Sequence, residues 1–308
     1  MSDNFRFIQS SSPVKDNTVK SNNATKLREL IFSAEISFIM EAHNGLSAKI
    51  VEEEGFKAVW ASGLSISTSL GLRDRNEVSW TQVIDVLEYM ADSINIPILV
   101  DGDTGHGDFN NVRRFVKKLG QRSIGGVCFE DKQFPKTNSF LGENQELASI
   151  PEFTGKIKAA IDTREHDDFC IIARTEALIS GLGMSEALKR AEAYHAAGAD
   201  AILVHSKKST ADEISGFMRE WDNRCPIVIV PTKYFDTPVS LFEDIGISTV
   251  IWANHNLRSA ITSMRETTRQ IYRDKSIKAA EGNIASLAEV FSLVNMDEID
   301  AAEKKYSA

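Results

Sequence analysis

The sequence predicts an α/β protein folded as a parallel (β/α)8 barrel of the TIM type with extra C-terminal helices, and three observations carry that expectation. Eight short apolar runs recur along the chain, amphipathic segments alternate with them, and polar residues collect at the C-terminal ends of most runs. Strand–helix alternation selects a parallel sheet, and eight strands are what a closed barrel needs. An open doubly wound sheet is the competitor, but no glycine-rich phosphate fingerprint follows the first strand.

Taken in order, residues 1–24 are rich in Ser, Asn and Lys, offer little to bury, and read as a flexible tail. Residues 25–308 then form a single barrel domain that includes the C-terminal helices. The expected strands are 38–44 (FIMEAHN), 58–64 (AVWASGL), 97–105 (PILVDGDTG), 125–131 (GGVCFED), 170–177 (CIIARTEA), 201–205 (AILVH), 227–232 (IVIVPT) and 249–256 (TVIWANHN). Near-continuous apolarity, rather than strict alternation, is what strands covered on both faces show. Helical spacing marks 80–94, 110–122, 184–198 and 211–221, with Gly120 and Gly198 where helix C-caps belong. Beyond the eighth strand, 257–274, 285–295 and 297–306 supply more helix than the last barrel unit needs. Surplus apolar helix packs on the barrel's own flank or on a neighbouring subunit.

Composition narrows the partners. With 308 residues, 42% hydrophobic and 26% charged, the chain has the make-up of a soluble globular protein with a large core. A net charge of −9 counts against nucleic acid, whose backbone rewards basic surfaces. A small anionic substrate needs only a few local cations or a metal. No apolar stretch approaches the roughly 20 residues of a membrane span, and no signal-peptide core opens the chain, so a cytoplasmic location without membrane is expected. Cys128, Cys170 and Cys225 match no zinc spacing and read as buried thiols in a reducing compartment.

In barrels of this kind the active site lies at the C-terminal ends of the strands. There the second strand offers Trp60, Ser62, Gly63 and Leu64, whose backbone amides can cradle an anionic oxygen. Asp101 and Asp103, two apart, are expected on one face of the third strand, with Glu130 on the next. An all-oxygen set without Cys or an obvious His favours Mg²⁺ or Mn²⁺ over zinc, against the alternative of structural or capping acids. Arg174, after the run CIIA, suits capture of carboxylate or phosphoryl oxygens, or else partners a barrel acid such as Glu176. His205 stands evenly between a core histidine and a site histidine; His43, His106 and His255 have weaker claims. The polar stretch EDKQFPKTNS (130–139), with Lys136 and Asn138, is a candidate lid or a plain connector.

Together, MEAHNGLSAKI, WASGLS, LRDRNEVSWTQV, DGDTGHGDFNN, EDKQFPKTNS, IIARTEA, ALKRAEAY, GADAILVHSKK, VIVPTKY and VIWANHNLR resemble the phosphoenolpyruvate mutase and isocitrate lyase superfamily, in order from about residue 38 to 270. The resemblance implies a Mg²⁺-dependent barrel, assembled as a homotetramer (a dimer of dimers) with a C-terminal helix exchanged between paired subunits. It implies interconversion of phosphoenolpyruvate and 3-phosphonopyruvate, the step that makes the carbon–phosphorus bond in phosphonate biosynthesis. Carried over by residue, Asp101 ligates the metal, Asp103 and Glu130 hold metal-bound waters, and Gly63 and Leu64 present amides to substrate. Trp60, Ser62 and Asp101 join the substrate contacts. Lys136, Asn138, Arg174 and His205 surround the phosphoryl group, and Asp74 is an acid near the reacting centre, either phosphoryl carrier or positioning group.

Within the superfamily the same loop discriminates. Carbon–carbon lyases carry Lys-Lys-Cys-Gly with a catalytic cysteine, where this chain reads Pro135-Lys136-Thr137-Asn138-Ser139. Phosphonopyruvate hydrolase tends to have Thr where Asn138 stands. These two activities, the hydrolase and a lyase of 2-keto or malate-type acids, are the alternatives. Gly102, His106 and Thr175 depart from the more familiar Ala, Tyr and Val; Gly102 is expected to point away from the cavity, and His106 to shape its rim.

Overall fold

A computed structural model describes residues 22–139 and 145–307. Its eight strands are β1 (Ser37–Ala42), β2 (Val59–Ala61), β3 (Ile98–Asp101), β4 (Gly126–Glu130), β5 (Cys170–Thr175), β6 (Ala201–Val204), β7 (Ile227–Ile229) and β8 (Thr249–Trp252). Each pairs in parallel with its successor, and β8 returns to β1 with Phe38 opposite Val250, which closes the barrel. All eight expected runs therefore hold strands. The strands stop short of the runs' polar tails, because the chain leaves the sheet there to form the barrel mouth.

Strand alternation sorts the apolar residues into two cores. Trp60, Leu99, Cys128, Ile172, Leu203, Val228 and Ile251 point inward and fill the barrel. Val59, Ala61, Val100, Val127, Ile171 and Ile202 point outward against the helices. Cys128 and Cys170 are buried, Cys225 is half-buried, and all three are free thiols.

The helical layer is α1 (Asn23–Ile31), α2 (Gly45–Glu53), α3 (Gly63–Ser69), α4 (Trp80–Ser93), α5 (Phe109–Gly120), α6 (Ile150–Thr163), α7 (Gly183–Ala196), α8 (Asp212–Trp221), α9 (Val239–Asp244), α10 (His255–Asp274), α11 (Leu287–Leu293) and α12 (Met296–Tyr306). Asn44, Ser79 and Asp108 start α2, α4 and α5 with reciprocal capping boxes, satisfying amides that the first turn leaves without partners. Of the expected tail, 1–21 lie outside the described residues, whereas Asn22 caps α1 and 23–24 belong to it. Leu27 and Ile31 of α1 join the inner core and close the barrel's N-terminal end, in a helix that was not among those expected. Gly198 does follow α7 with φ 103°, but Gly120 is the last residue of α5, and the left-handed position there is Ser123 (φ 56°).

The C-terminal helices stand apart. α10 buries only Leu257, and α11 and α12 bury nothing. On the outer flank of β1 and β8, Phe38 and Trp252 stack with ring centroids 6.1 Å apart and stay half-buried. Among the described residues no helix is long and apolar enough to cross a membrane.

Candidate active site

At the C-terminal mouth of the barrel a cavity of about 510 Å³, its opening included, is lined by residues from most of the strands and from the segment after β4. Ten of the expected site residues line it: Trp60, Ser62, Leu64, Asp74, Asp101, Glu130, Lys136, Asn138, Arg174 and His205. Gly63 and Asp103 touch the same cluster from behind.

Asp101 ends β3, and its Oδ2 accepts the Gly63 N–H (3.2 Å) at the start of α3, so that amide is aimed at the acid in this structure. Asp103 is not on a strand, contrary to the expectation of a shared pleat. It adopts φ 50° in the turn after β3, and its N–H donates to Asp101 Oδ1 (3.3 Å). The turn brings the two carboxylates together all the same: a Cβ built on Gly63 would lie 3.0 Å from Asp103 Oδ1 and 3.2 Å from Asp101 Oδ2. Glycine at this position lets both carboxylates sit close without displacement.

Among the described residues, no three or more Asp, Glu, His or Cys groups converge closely enough to ligate one ion directly, so Asp101, Asp103 and Glu130 are not a compact ligand triad. The reason is local. Asp103 faces the Lys136 ammonium with one oxygen and accepts from Asn76 Nδ2 (2.8 Å) with the other. The site nevertheless carries the electrostatics of a cation site. Burial pushes Asp103 up to about 8; Lys136 opposes this, and Asp101, Asp74 and Glu130 reinforce it. Burial raises Glu130 as well, and its Oε1 is enclosed with no hydrogen-bond partner. Carboxylates that crowd one another, one with an unspent oxygen, fit a hard divalent cation.

The segment 130–139 lies down over this cluster. Lys136, 5% exposed, reaches Asp74 Oδ1 (2.7 Å) and Asp103, and Asn138 Nδ2 donates to Asp74 Oδ2 (2.7 Å). Burial would raise Asp74, but Lys136 and Asn138 outweigh it and hold the acid below its ordinary range. Lys132 donates to the Thr137 carbonyl and to Ser139 Oγ, both at 2.7 Å, so the segment is tied internally too.

Across the cavity, Arg174 partners the barrel acid Glu176, the structural role expected as its alternative, while still facing the cavity. Its guanidinium lines the cavity, and its Nε pairs with the fully buried Glu176. Its Nη2 contacts Ser139 Oγ (2.9 Å) and His205 Nδ1 (2.7 Å). His205 Nδ1 also lies 2.9 Å from Glu176, and burial, reinforced by Arg174, lowers its pKa, which keeps the ring neutral.

Glu176, Lys132, Ser139, Asn76 and Asn254 complete the site and were not among the expected site residues. Lys132 and Ser139 fall inside the quoted loop, and Asn254 inside the polar end of the eighth run, so position in a strand tail was the available signal. Asn76 carried none. His43 pairs with Glu41 (2.6 Å) outside the cavity. His106 is buried edge-on against Phe115, centroids 5.0 Å apart, and does not line the rim. Gly102 does face away, toward Val127 and Phe129.

Comparison with known proteins agrees with this geometry. Residues 27–272 match the family model described as phosphoenolpyruvate phosphomutase. The chain is 58% identical to a phosphoenolpyruvate phosphomutase of Tetrahymena pyriformis over 92% of its own length and 94% of that protein's. The phosphoenolpyruvate phosphomutase structure from Streptomyces platensis subsp. rosaceus superposes with a TM-score of 0.91 at 42% identity, covering 93% of this chain and all (100%) of that one. A phosphonopyruvate hydrolase solved with oxalate and Mg²⁺ superposes at 0.88 with 36% identity, over 93% and 100% of the two chains.

Proposed function

The chain belongs to the phosphoenolpyruvate phosphomutase family, and on that premise we propose how its barrel mouth moves a phosphoryl group within one molecule, between phosphoenolpyruvate and 3-phosphonopyruvate. The protein is an enzyme of the isomerase class. The observation that carries the residue assignments is the closure of Lys136 and Asn138 on Asp74, facing Arg174 and His205 across one cavity. No thiol lines that cavity, in keeping with Thr137 where the lyases carry cysteine.

In the forward direction the P–O bond of phosphoenolpyruvate breaks and a C–P bond forms at C3 of the enolate; no proton is gained or lost. Such a transfer rests on alignment and on charge stabilisation of a loose transition state. Arg174 and Lys136 supply fixed positive charge on opposite sides of the phosphoryl group. His205, neutral, and Asn138 supply hydrogen bonds that orient it. Asp74 works as a positioning group, because both its oxygens are committed to Lys136 and Asn138. Trp60, Ser62, Gly63 and Leu64 seat the enolpyruvate end. The 130–139 segment keeps water from competing for the phosphoryl group.

Mg²⁺, replaceable by Mn²⁺, is the proposed cofactor; Asp101 would be its ligand, with Asp103 and Glu130 as its outer partners, and it would supply Lewis-acid stabilisation of the enolate oxygen. We assign the protein to phosphonate biosynthesis in the cytoplasm, with α1 part of its single barrel domain. Its homotetramer is a dimer of dimers in which the C-terminal helices cross between subunits. The half-buried Phe38 and Trp252 and the unburied faces of α11 and α12 support that assembly.

³¹P NMR of the purified protein with phosphonopyruvate and Mg²⁺ tests the function. Phosphoenolpyruvate is the expected product, and Asp101→Ala reduces Mg²⁺-dependent turnover to background. Inorganic phosphate with pyruvate alone identifies a hydrolase and overturns the reading.

A further inference from the structure

Between α3 and α4 the chain passes over the acidic cluster, and Asn76 stands there in a left-handed conformation (φ 57°). Its side-chain amide joins two distant parts of the site. Oδ1 accepts the backbone N–H of Lys136 (2.7 Å), 60 residues away, and Nδ2 donates to Asp103 Oδ2 (2.8 Å), 27 residues away. The Lys136 backbone N–H can only donate, so it must meet Oδ1, and that orientation turns Nδ2 toward Asp103. A left-handed turn residue needs neither bond; glycine meets that conformational demand without any side chain.

We propose that Asn76 is a positioning residue, a clasp that holds the 130–139 segment closed by fixing the backbone at Lys136 to the Asp103 carboxylate. The inference rests on the functional reading above for its effect on turnover, though not for its effect on the segment. The segment has little apolar anchorage, with Phe134 half exposed (50%). Its closure is held by polar contacts, which open more readily than a packed core. Lys132 and Gln145 hold the Thr137 and Asn138 carbonyls, and Asn76 holds the backbone N–H of Lys136 itself, tying the residue whose ammonium reaches Asp74 to the acidic cluster. Losing the clasp leaves that side chain intact but misplaced, so catalysis suffers more than substrate capture does.

Two substitutions separate the clasp from the turn. Asn76→Gly keeps the left-handed backbone and removes both bonds. Asn76→Asp keeps the acceptor for Lys136 and replaces the donor with a charge facing Asp103. Trypsin cleavage after Lys136, followed by fragment mass in the full-length enzyme, reads the segment directly. With Asn76→Gly we expect cleavage about tenfold faster and kcat for phosphonopyruvate lowered at least about tenfold, with KM changed far less and the melting temperature nearly unchanged. Asn76→Asp gives a smaller gain in cleavage than Asn76→Gly and a comparable loss of kcat. Wild-type cleavage and kcat in a folded Asn76→Gly variant overturn the clasp, and so does unfolding of both variants, which makes Asn76 a structural turn residue. A wild-type enzyme that fails to isomerise sinks the functional reading alone, because the cleavage comparison still judges the clasp.

Discussion

Glu130 and Asp131 are adjacent acids with opposite fates, and the pleat of β4 decides between them. Glu130 opens into the cavity, whereas Asp131 points outward and is fully satisfied, accepting from Tyr194 Oη (2.7 Å), Arg190 (3.1 Å) and the Glu176 N–H (2.8 Å). Asp131 thereby fixes the backbone that presents Glu176, and Glu176 in turn holds Arg174 and His205. His106 shows the same dependence on surroundings. Burial, aided by Lys136, lowers its pKa to about 4 from 6.5, so between those values the unfolded chain takes up a proton that the folded chain refuses. The contribution of His106 to stability is therefore complete above pH 6.5 and is lost as pH drops toward 4, by on the order of 3 kcal/mol. Asn tolerates the left-handed backbone (φ 57°) at this position, so His106→Asn should flatten the fall in urea-unfolding stability between pH 7 and 4.5. An unchanged pH slope would show that His106 titrates normally in the fold.

At the scale of elements, β3 and the turn after it illustrate how tightly the mouth is built. A Cβ on Gly102 would sit 2.6 Å from Val127 Cγ2 and 2.7 Å from Phe129 Cε1, and both of those side chains are buried. The residue that resembles a neutral departure from Ala is therefore matched to the large Phe129 beside it. Gly102→Ala should destabilise the protein by about 1–3 kcal/mol, as overpacking of a closed core does, seen as a lower urea midpoint with an unchanged slope. Equal stability would mean that Phe129 has room to move. The 130–139 segment behaves differently, since polar contacts rather than packing seat it on the barrel.

For the whole molecule, the distribution of apolar surface is uneven. The barrel buries most of its apolar runs, whereas Leu287 is 72%, Val294 61% and Phe291 50% exposed on the C-terminal helices. Contiguous apolar faces of that kind mark association surfaces, and closed symmetry is the usual result. Sedimentation at micromolar concentration should give a four-chain species, and Leu287→Asp with Phe291→Asp should reduce it to smaller forms while the barrel stays folded by circular dichroism. A wild-type monomer under the same conditions would contradict the exchanged-helix assembly.

The eight strands, the barrel and most of the cavity lining were legible in the chain, because periodicity and burial are local consequences of side-chain chemistry. Polar residues just past an apolar run are carried to the mouth by topology, which is why Asp101, Glu130, Arg174 and His205 were readable in advance. Other features needed the tertiary structure. α1 was not among the expected helices, and its role appears only when Leu27 and Ile31 meet the barrel floor; Asp103 joins Asp101 through a left-handed turn that no pleat rule anticipates. Asn76 acquires its role only when segments 27 and 60 residues away in sequence arrive at its two amide atoms. Local pattern determines which elements form, whereas closure of the barrel determines which side chains meet, since those contacts join residues that share no stretch of sequence.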